Sequence, residues 1–149
     1  MTWTTRGISI EQLDDLVHLF DQYMVFYGKE SQPQKYRDYL QQRLSQNEAH
    51  VYIAYDPDNR PLGFVLNYLS FSSVSLGKVV ILNDLFVIES HRKKGIANQL
   101  IHCSIGLALE INAIRVDLGT AQDNYSAQAL YKKLGFIRDT QFFSYSLST

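Results

Sequence analysis

Three cations, Arg92, Lys93 and Lys94, stand directly before Gly95 in the stretch VIESHRKKGIANQLI, and the residues after the glycine repeat at helical spacing. A helix start already presents unpaired N–H groups and the positive end of the backbone dipole. Cations there disfavour the helix unless an anion sits among them, so the pattern reads as a cradle for phosphate. Spacing excludes two familiar cradles, because neither G-x-x-x-x-G-K-[ST] nor G-x-G-x-x-G occurs in the chain. What stands is R-x-x-G-x-A, from Arg92 to Ala97, after a strand-like run ending near Ile88. Gly95 permits close approach to the backbone, and Ala97 keeps the next turn small. A pyrophosphate would accept the N–H groups from Lys93 to Asn98, those of Ile96 and Ala97 included, while the three cations offset its charge. Taken by itself, a basic turn beside one glycine also reads as solvated surface.

A second group breaks an apolar run. Asn83 and Asp84 interrupt KVVILNDLFVI, and polar groups inside such a strand cost free energy unless something satisfies them. A strand bulge whose side chains cap backbone groups is one explanation. Other chemistry finds little support. His102 and Cys103 are adjacent and diverge on a helix, so they form no nucleophilic dyad. The histidines at 18, 50, 91 and 102 lack metal-ligand spacing, and no metal is expected.

The elements that must position these groups follow from periodicity. Residues 2–7 read as a short strand, and Ser9 with Gln12 has capping-box spacing. Leu13, Leu16, Val17, Phe20 and Met24 predict an amphipathic helix; Tyr36, Leu40 and Leu44 predict a second, shorter one. HVYIAY and LGFVLNYLS flank the turn DPDNRP as a hairpin, and KVVILNDLFVI predicts a third, central strand. Residues 95–111 carry one apolar stripe, Ile96, Leu100, Cys103, Leu107 and Ile111. AIRVDLGT predicts another strand, NYSAQALYKKLG a helix closed by Gly135, and FFSYSLS an alternating last strand. The order β-α-α-β-β-β-α-β-α-β predicts an α/β fold, a mixed sheet flanked by helices.

The chain has 149 residues, enough for one domain with a real core, and residues 1–149 are expected to form one. With 46% hydrophobic residues and a net charge of −1, it is no general electrostatic surface for nucleic acid or membrane. Any anion recognition must be local. One cysteine fits a reducing compartment, the N-terminus lacks a signal-peptide layout, and no apolar run reaches membrane-spanning length. A cytoplasmic location is expected.

Read together, NDLFVIESHRKKGIANQLI and TAQDNYSAQALYKKLGF resemble the GNAT superfamily of acyl-CoA-dependent N-acetyltransferases. The first matches the R/Q-x-x-G-x-G/A pyrophosphate motif with its preceding strand and following helix. The second matches the late helix, with Asn124 at its start and an aromatic in LYKKLGF. The motifs cover roughly residues 80 to 137, and the usual second glycine is Ala97 here. The segment LFDQYMVFYGKE looks like the Tyr-rich acceptor side of the diamine, D-amino-acid and histone-type branch.

The resemblance implies a mixed, mostly antiparallel sheet and acetyl-CoA as acyl donor. It implies that Leu85, Phe86 and Val87 hold the pantetheine arm, with the Val87 N–H polarising the thioester carbonyl. Tyr131, a phenol protonated at neutral pH, becomes the candidate acid for the departing thiolate. Asn124, seven residues earlier and about 10 Å along the same helix, would steady the pantetheine. Read without the resemblance, Tyr131 is equally a core aromatic and Asn124 a plain helix cap. On the acceptor side the resemblance places Asn83 and Asp84, with Asp84 binding an ammonium or helping remove its proton, and Tyr23 and Tyr27 bordering the pocket. Asn-Asp stands where polyamine-acetylating members carry Glu-Asp, which counts against a strongly cationic polyamine. The expected acceptor is a primary amine of a small molecule, or a protein lysine or N-terminus. Many relatives pair their last strand across a homodimer. A non-catalytic acyl-CoA sensor is the rival reading, and it predicts binding without transfer.

Overall fold

The computed structural model describes residues 2–149, which divide after Leu118 into two compact units. In the first, β1 (Thr4–Gly7) leads to a single 3-10 turn capped by Ser9. The Ser9 N–H donates to Gln12 Oε1 at 2.9 Å and the Glu11 N–H to Ser9 Oγ at 3.3 Å, so the expected capping box forms. Helix α1 (Leu13–Phe26) buries Leu13, Leu16, Val17, Leu19 and Phe20. Helix α2 (Pro33–Ser45) starts on a proline, whose missing N–H costs nothing in a first turn, and buries Tyr36 and Leu40. Asp21 joins the two helices: its carboxylate accepts from Ser31 Oγ at 2.7 Å and from the Gln32 N–H at 2.9 Å.

Strands β2 (Ala49–Tyr55), β3 (Pro61–Ser72), β4 (Gly77–Val87) and β5 (Arg115–Leu118) complete a sheet in the order β1-β2-β3-β4-β5. All neighbours are antiparallel except β4 and β5, whose parallel pairing needs a crossover, supplied by α3 (Ile96–Glu110). The α/β architecture and mostly antiparallel sheet match the expectation. Strand β4 is interior but not the middle strand; that place is held by β3.

The sheet carries a core on each face. Helices α1 and α2 pack on Val51, Ile53, Tyr55, Phe64, Leu66 and Phe86, while Leu107 and Ala108 of α3 pack with Val80 on the other. Beneath α3, Ser104 Oγ donates to Asn67 Oδ1 at 2.8 Å and Asn67 Nδ2 to the His50 carbonyl at 3.1 Å, which satisfies two fully buried polar side chains.

In the second unit, α4 (Tyr125–Lys133) begins at Asn124 and ends before Gly135 at φ +97°, the left-handed stop expected there. The predicted last strand is absent. Residues 136–149 carry neither helix nor strand, and Phe142, Phe143, Tyr145 and Leu147 are exposed. Alternating apolar residues favour a strand only where a partner edge and a covered face receive them.

Candidate active site

The register between β3 and β4 decides what β4 presents. Leu66 faces Asp84, yet the next residue, Asn67, faces Leu82, so Asn83 is the extra residue of a bulge. One inserted residue moves the following side chains to the other face. Val80 therefore packs under α3, whereas Phe86, an even number of residues later, packs under α1. The bulge explanation of Asn83 is correct in position but not in bonding: the pair caps itself. Asn83 Nδ2 donates to Asp84 Oδ2 at 2.9 Å, and Tyr23 of α1 donates its hydroxyl to Asp84 Oδ1 at 2.8 Å.

Around that carboxylate stand aromatic rings. Tyr23 lies 5.0 Å from Tyr27, 5.6 Å from Phe64 and 5.8 Å from Phe86, all edge-to-face. Tyr27 and Phe26 are the exposed lip of this wall. Farther along β3, the Tyr68 and Tyr39 hydroxyls are 2.7 Å apart, and burial first, then the Tyr39 hydroxyl, pushes the Tyr68 phenol up. Half-buried carboxylate, phenols and ring faces together suit a cation or a neutral amine awaiting proton removal.

The strand end has a different character. The Ile88 N–H donates to the Leu62 carbonyl at 2.9 Å, which makes 62 and 88 a hydrogen-bonded pair. Pairs alternate along an antiparallel ladder, so 64 and 86 are bonded, while 63 with 87 and 65 with 85 are not. The backbone groups of Leu85 and Val87 therefore face away from β3. Strand β5 ends at Leu118 opposite Leu82, and among the described residues no strand covers that side of 83–87. Phe86 differs from the expectation for it: its backbone belongs to the ladder with Phe64, and its ring belongs to the aromatic wall. Gly63 permits the close pairing, since a Cβ there would lie 2.6 Å from the Phe86 carbonyl oxygen.

Beyond β4 the chain turns through Glu89–His91 into the basic segment. Lys93 at φ 62° and Gly95 at φ 93° are both left-handed, and a Cβ on Gly95 would meet no atom within 4 Å. The space above Gly95 is open to a ligand. Among the described residues no side chain caps α3, whose first intrahelical bond is Gln99 N–H to the Gly95 carbonyl at 3.1 Å, so the Ile96, Ala97 and Asn98 amides precede its ladder. Lys93 and Lys94 are exposed, and the Ile96 side chain is buried, leaving its amide as the part open to a ligand. This chain's residues thus fit a pyrophosphate-bearing donor. Arg92 departs from its neighbours: its Nε donates to the Val87 carbonyl at 2.9 Å.

In the second unit, Asn124 Oδ1 accepts from the Ala127 N–H at 3.3 Å and caps α4. The Tyr131 ring lies 5.8 Å from that of Phe136, edge-on. The first unit brings together Tyr23, Tyr27, Asn83, Asp84 and Phe86. Sequence spacing missed Phe26, Phe64, Gly63, Tyr39 and Tyr68. The one available signal was the Asn83 break, which changes the face of everything after it.

A family model for the acetyltransferase (GNAT) family matches residues 13–136. An uncharacterized N-acetyltransferase of Bacillus subtilis, YhfO, is 36% identical over 130 residues, covering 87% of each chain. A probable acetyltransferase of Haemophilus influenzae is 28% identical over 114 residues, 76% of this chain and 78% of that one. The crystal structure of a probable acetyltransferase superposes with a TM-score of 0.90 at 38% identity, covering 100% of this chain and 98% of the other. The fold is also that of AAC(6')-Iy in complex with a CoA-linked bisubstrate analogue, at a TM-score of 0.81 and 20% identity over the whole of both chains.

Proposed function

The chain belongs to the acetyltransferase (GNAT) family and is an N-acetyltransferase; we propose that it moves an acetyl group from acetyl-CoA directly to a primary amine of a small molecule. The observation that carries this reading is the end of β4, where Val87 turns its N–H away from β3 on the side that β5 has left, a few residues before an uncapped helix start. A fixed amide dipole there meets charge developing on the thioester oxygen without reorganising. The amides from Lys93 to Asn98 hold the pyrophosphate, Lys93 and Lys94 offset its charge, and Leu85 pairs with the pantetheine arm.

On the acceptor side Asp84 orients the amine and, directly or through water, takes its proton, so that a neutral nitrogen attacks. The bond to Tyr23 and the bulge amide of Asn83 hold that carboxylate in one orientation. This aromatic, singly charged site supports the diamine, D-amino-acid and histone-type branch while disfavouring a polycation. Tyr131 donates its proton to the departing sulfur, and Asn124 steadies the pantetheine beside its capping role. The family match crosses the junction at Leu118, which supports one acetyltransferase domain over residues 1–149. The single Cys103 supports a cytoplasmic setting, and the exposed aromatic run 142–147 supports pairing with a second copy.

A thiol-release assay with acetyl-CoA tests the proposal across small diamines, amino acids, aminoglycosides and a lysine peptide. The expected result is transfer to at least one class and a loss of about 100-fold in kcat for Tyr131→Phe with unchanged CoA affinity. Thermal stabilisation by CoA with no transfer to any amine would instead mark a binding module.

A further inference from the structure

We infer that Arg92 is a positioning residue, whose guanidinium ties the thioester end of β4 to the aromatic wall of the acceptor site; the inference rests on the roles given above to Val87 and Asp84. Arg92 is set apart from the lysines that follow it. Lys93 and Lys94 are exposed, whereas Arg92 is half-buried, with Nε bonded to the Val87 carbonyl at 2.9 Å. Its guanidinium carbon lies 4.9 Å from the centroid of Phe26 and 5.5 Å from that of Phe86.

The Val87 carbonyl faces the side of β4 that β5 does not reach, so among the described residues no strand supplies its donor. Arg92 does so instead, while the other end of the same peptide, the Ile88 N–H, is held by Leu62 at 2.9 Å. That peptide is fixed at both ends, and it adjoins the Val87 amide that meets the thioester. From the guanidinium the contacts continue unbroken: Phe86 to Tyr23 at 5.8 Å, then the Tyr23 hydroxyl to Asp84 at 2.8 Å. Phe26, an exposed ring on the last residue of α1, is held against β4 by the same cation. Only a planar, directional cation can donate along Nε and stack on rings at once; an ammonium supplies charge without that geometry.

The test compares Arg92→Lys, Arg92→Gln and Phe26→Leu with the wild type, using the amine turned over fastest in the panel. CoA affinity is measured by calorimetry, kcat and KM by thiol release, and folding by thermal melt. We expect Arg92→Lys to keep CoA affinity within about 3-fold while kcat falls and the amine KM rises by about 10-fold each. Phe26→Leu should raise the amine KM without moving CoA affinity. Wild-type kcat and KM in Arg92→Lys, with CoA affinity lost in Arg92→Gln, would make Arg92 a plain phosphate counter-ion and overturn the inference. If Arg92→Lys melts early, Phe26→Leu decides, and an unchanged amine KM overturns it. Asp84→Asn separates the layers: full activity there defeats the reading of the site itself, whereas impairment there beside an unimpaired Arg92→Lys defeats only the role of Arg92.

Discussion

Two tyrosine–carboxylate pairs share a bond of 2.8 Å, Tyr23 with Asp84 and Tyr55 with Asp15, yet they sit in opposite circumstances. Tyr55 is 1% exposed, Arg6 lies 4.1 Å above its ring, and burial first, then the Asp15 bond, pushes its phenol up to about 12. That pair closes the α1–β2 core. The Asp84 pair stands on a bulge, its second oxygen taken by the neighbouring Asn83 amide and its surroundings opening toward the exposed rings of Phe26 and Tyr27. The same chemical pair is closed structure in one place and the candidate site in the other. What differs is whether the surrounding elements cover it or leave it a face.

Removing charge at the open pair should have the largest effect. Asp84→Asn keeps the shape and is expected to cut kcat/KM by about 100-fold or more, with little change in melting temperature. Normal turnover would show that the open pair is as structural as the closed one. Next comes Gly95→Val, which forces a β-branched side chain into φ 93° and into the space above the turn. CoA affinity measured by calorimetry should fall by about 10-fold or more because the side chain fills the space a ligand would enter, while the backbone strain, roughly 1–2 kcal/mol, should appear separately as lost stability.

Tyr55→Phe should act the opposite way to Asp84→Asn, sparing turnover and lowering stability by about 1 kcal/mol in denaturant unfolding. The folded state holds the Tyr55 proton more tightly than the unfolded chain does, between the ordinary 10.0 and about 12. Its stabilisation is therefore complete below pH 10 and is lost as pH rises through that window. The variant should flatten this alkaline decline. Tyr52 and Tyr68, also raised by burial, preserve the remainder. The smallest effect is expected for Lys93→Ala with Lys94→Ala. Both cations are exposed, so CoA should bind only a few-fold more weakly, and the difference should shrink in high salt.

Much of the fold was legible because its signals are local. The Ser9–Gln12 box and Gly135 closing α4 each state a helix boundary in a few residues. The left-handed Gly95 and the start of α3 were legible for the same reason, since a glycine and a helix start lie within one turn of chain. The aromatic wall around Asp84 was legible only in part. The family resemblance set Tyr23, Tyr27 and Asp84 on one side, and the polar break suggested a bulge. Periodicity alone does not join Tyr23 to Asp84 across 61 residues or bring in Phe26 and Phe64. Arg92 illustrates the same limit: three consecutive cations look equivalent in sequence, and only the outward carbonyl of Val87 distinguishes the first of them. The final aromatic run shows the converse, a strong local pattern with no strand formed.

Amide hydrogen exchange with and without CoA tests most directly whether the start of α3 is the pyrophosphate cradle. Marked slowing is expected at Gly95, Ile96, Ala97 and Asn98 when CoA is present, with little change along β1 and β2. Unaltered exchange at those four amides, under conditions where CoA is bound, would contradict that assignment.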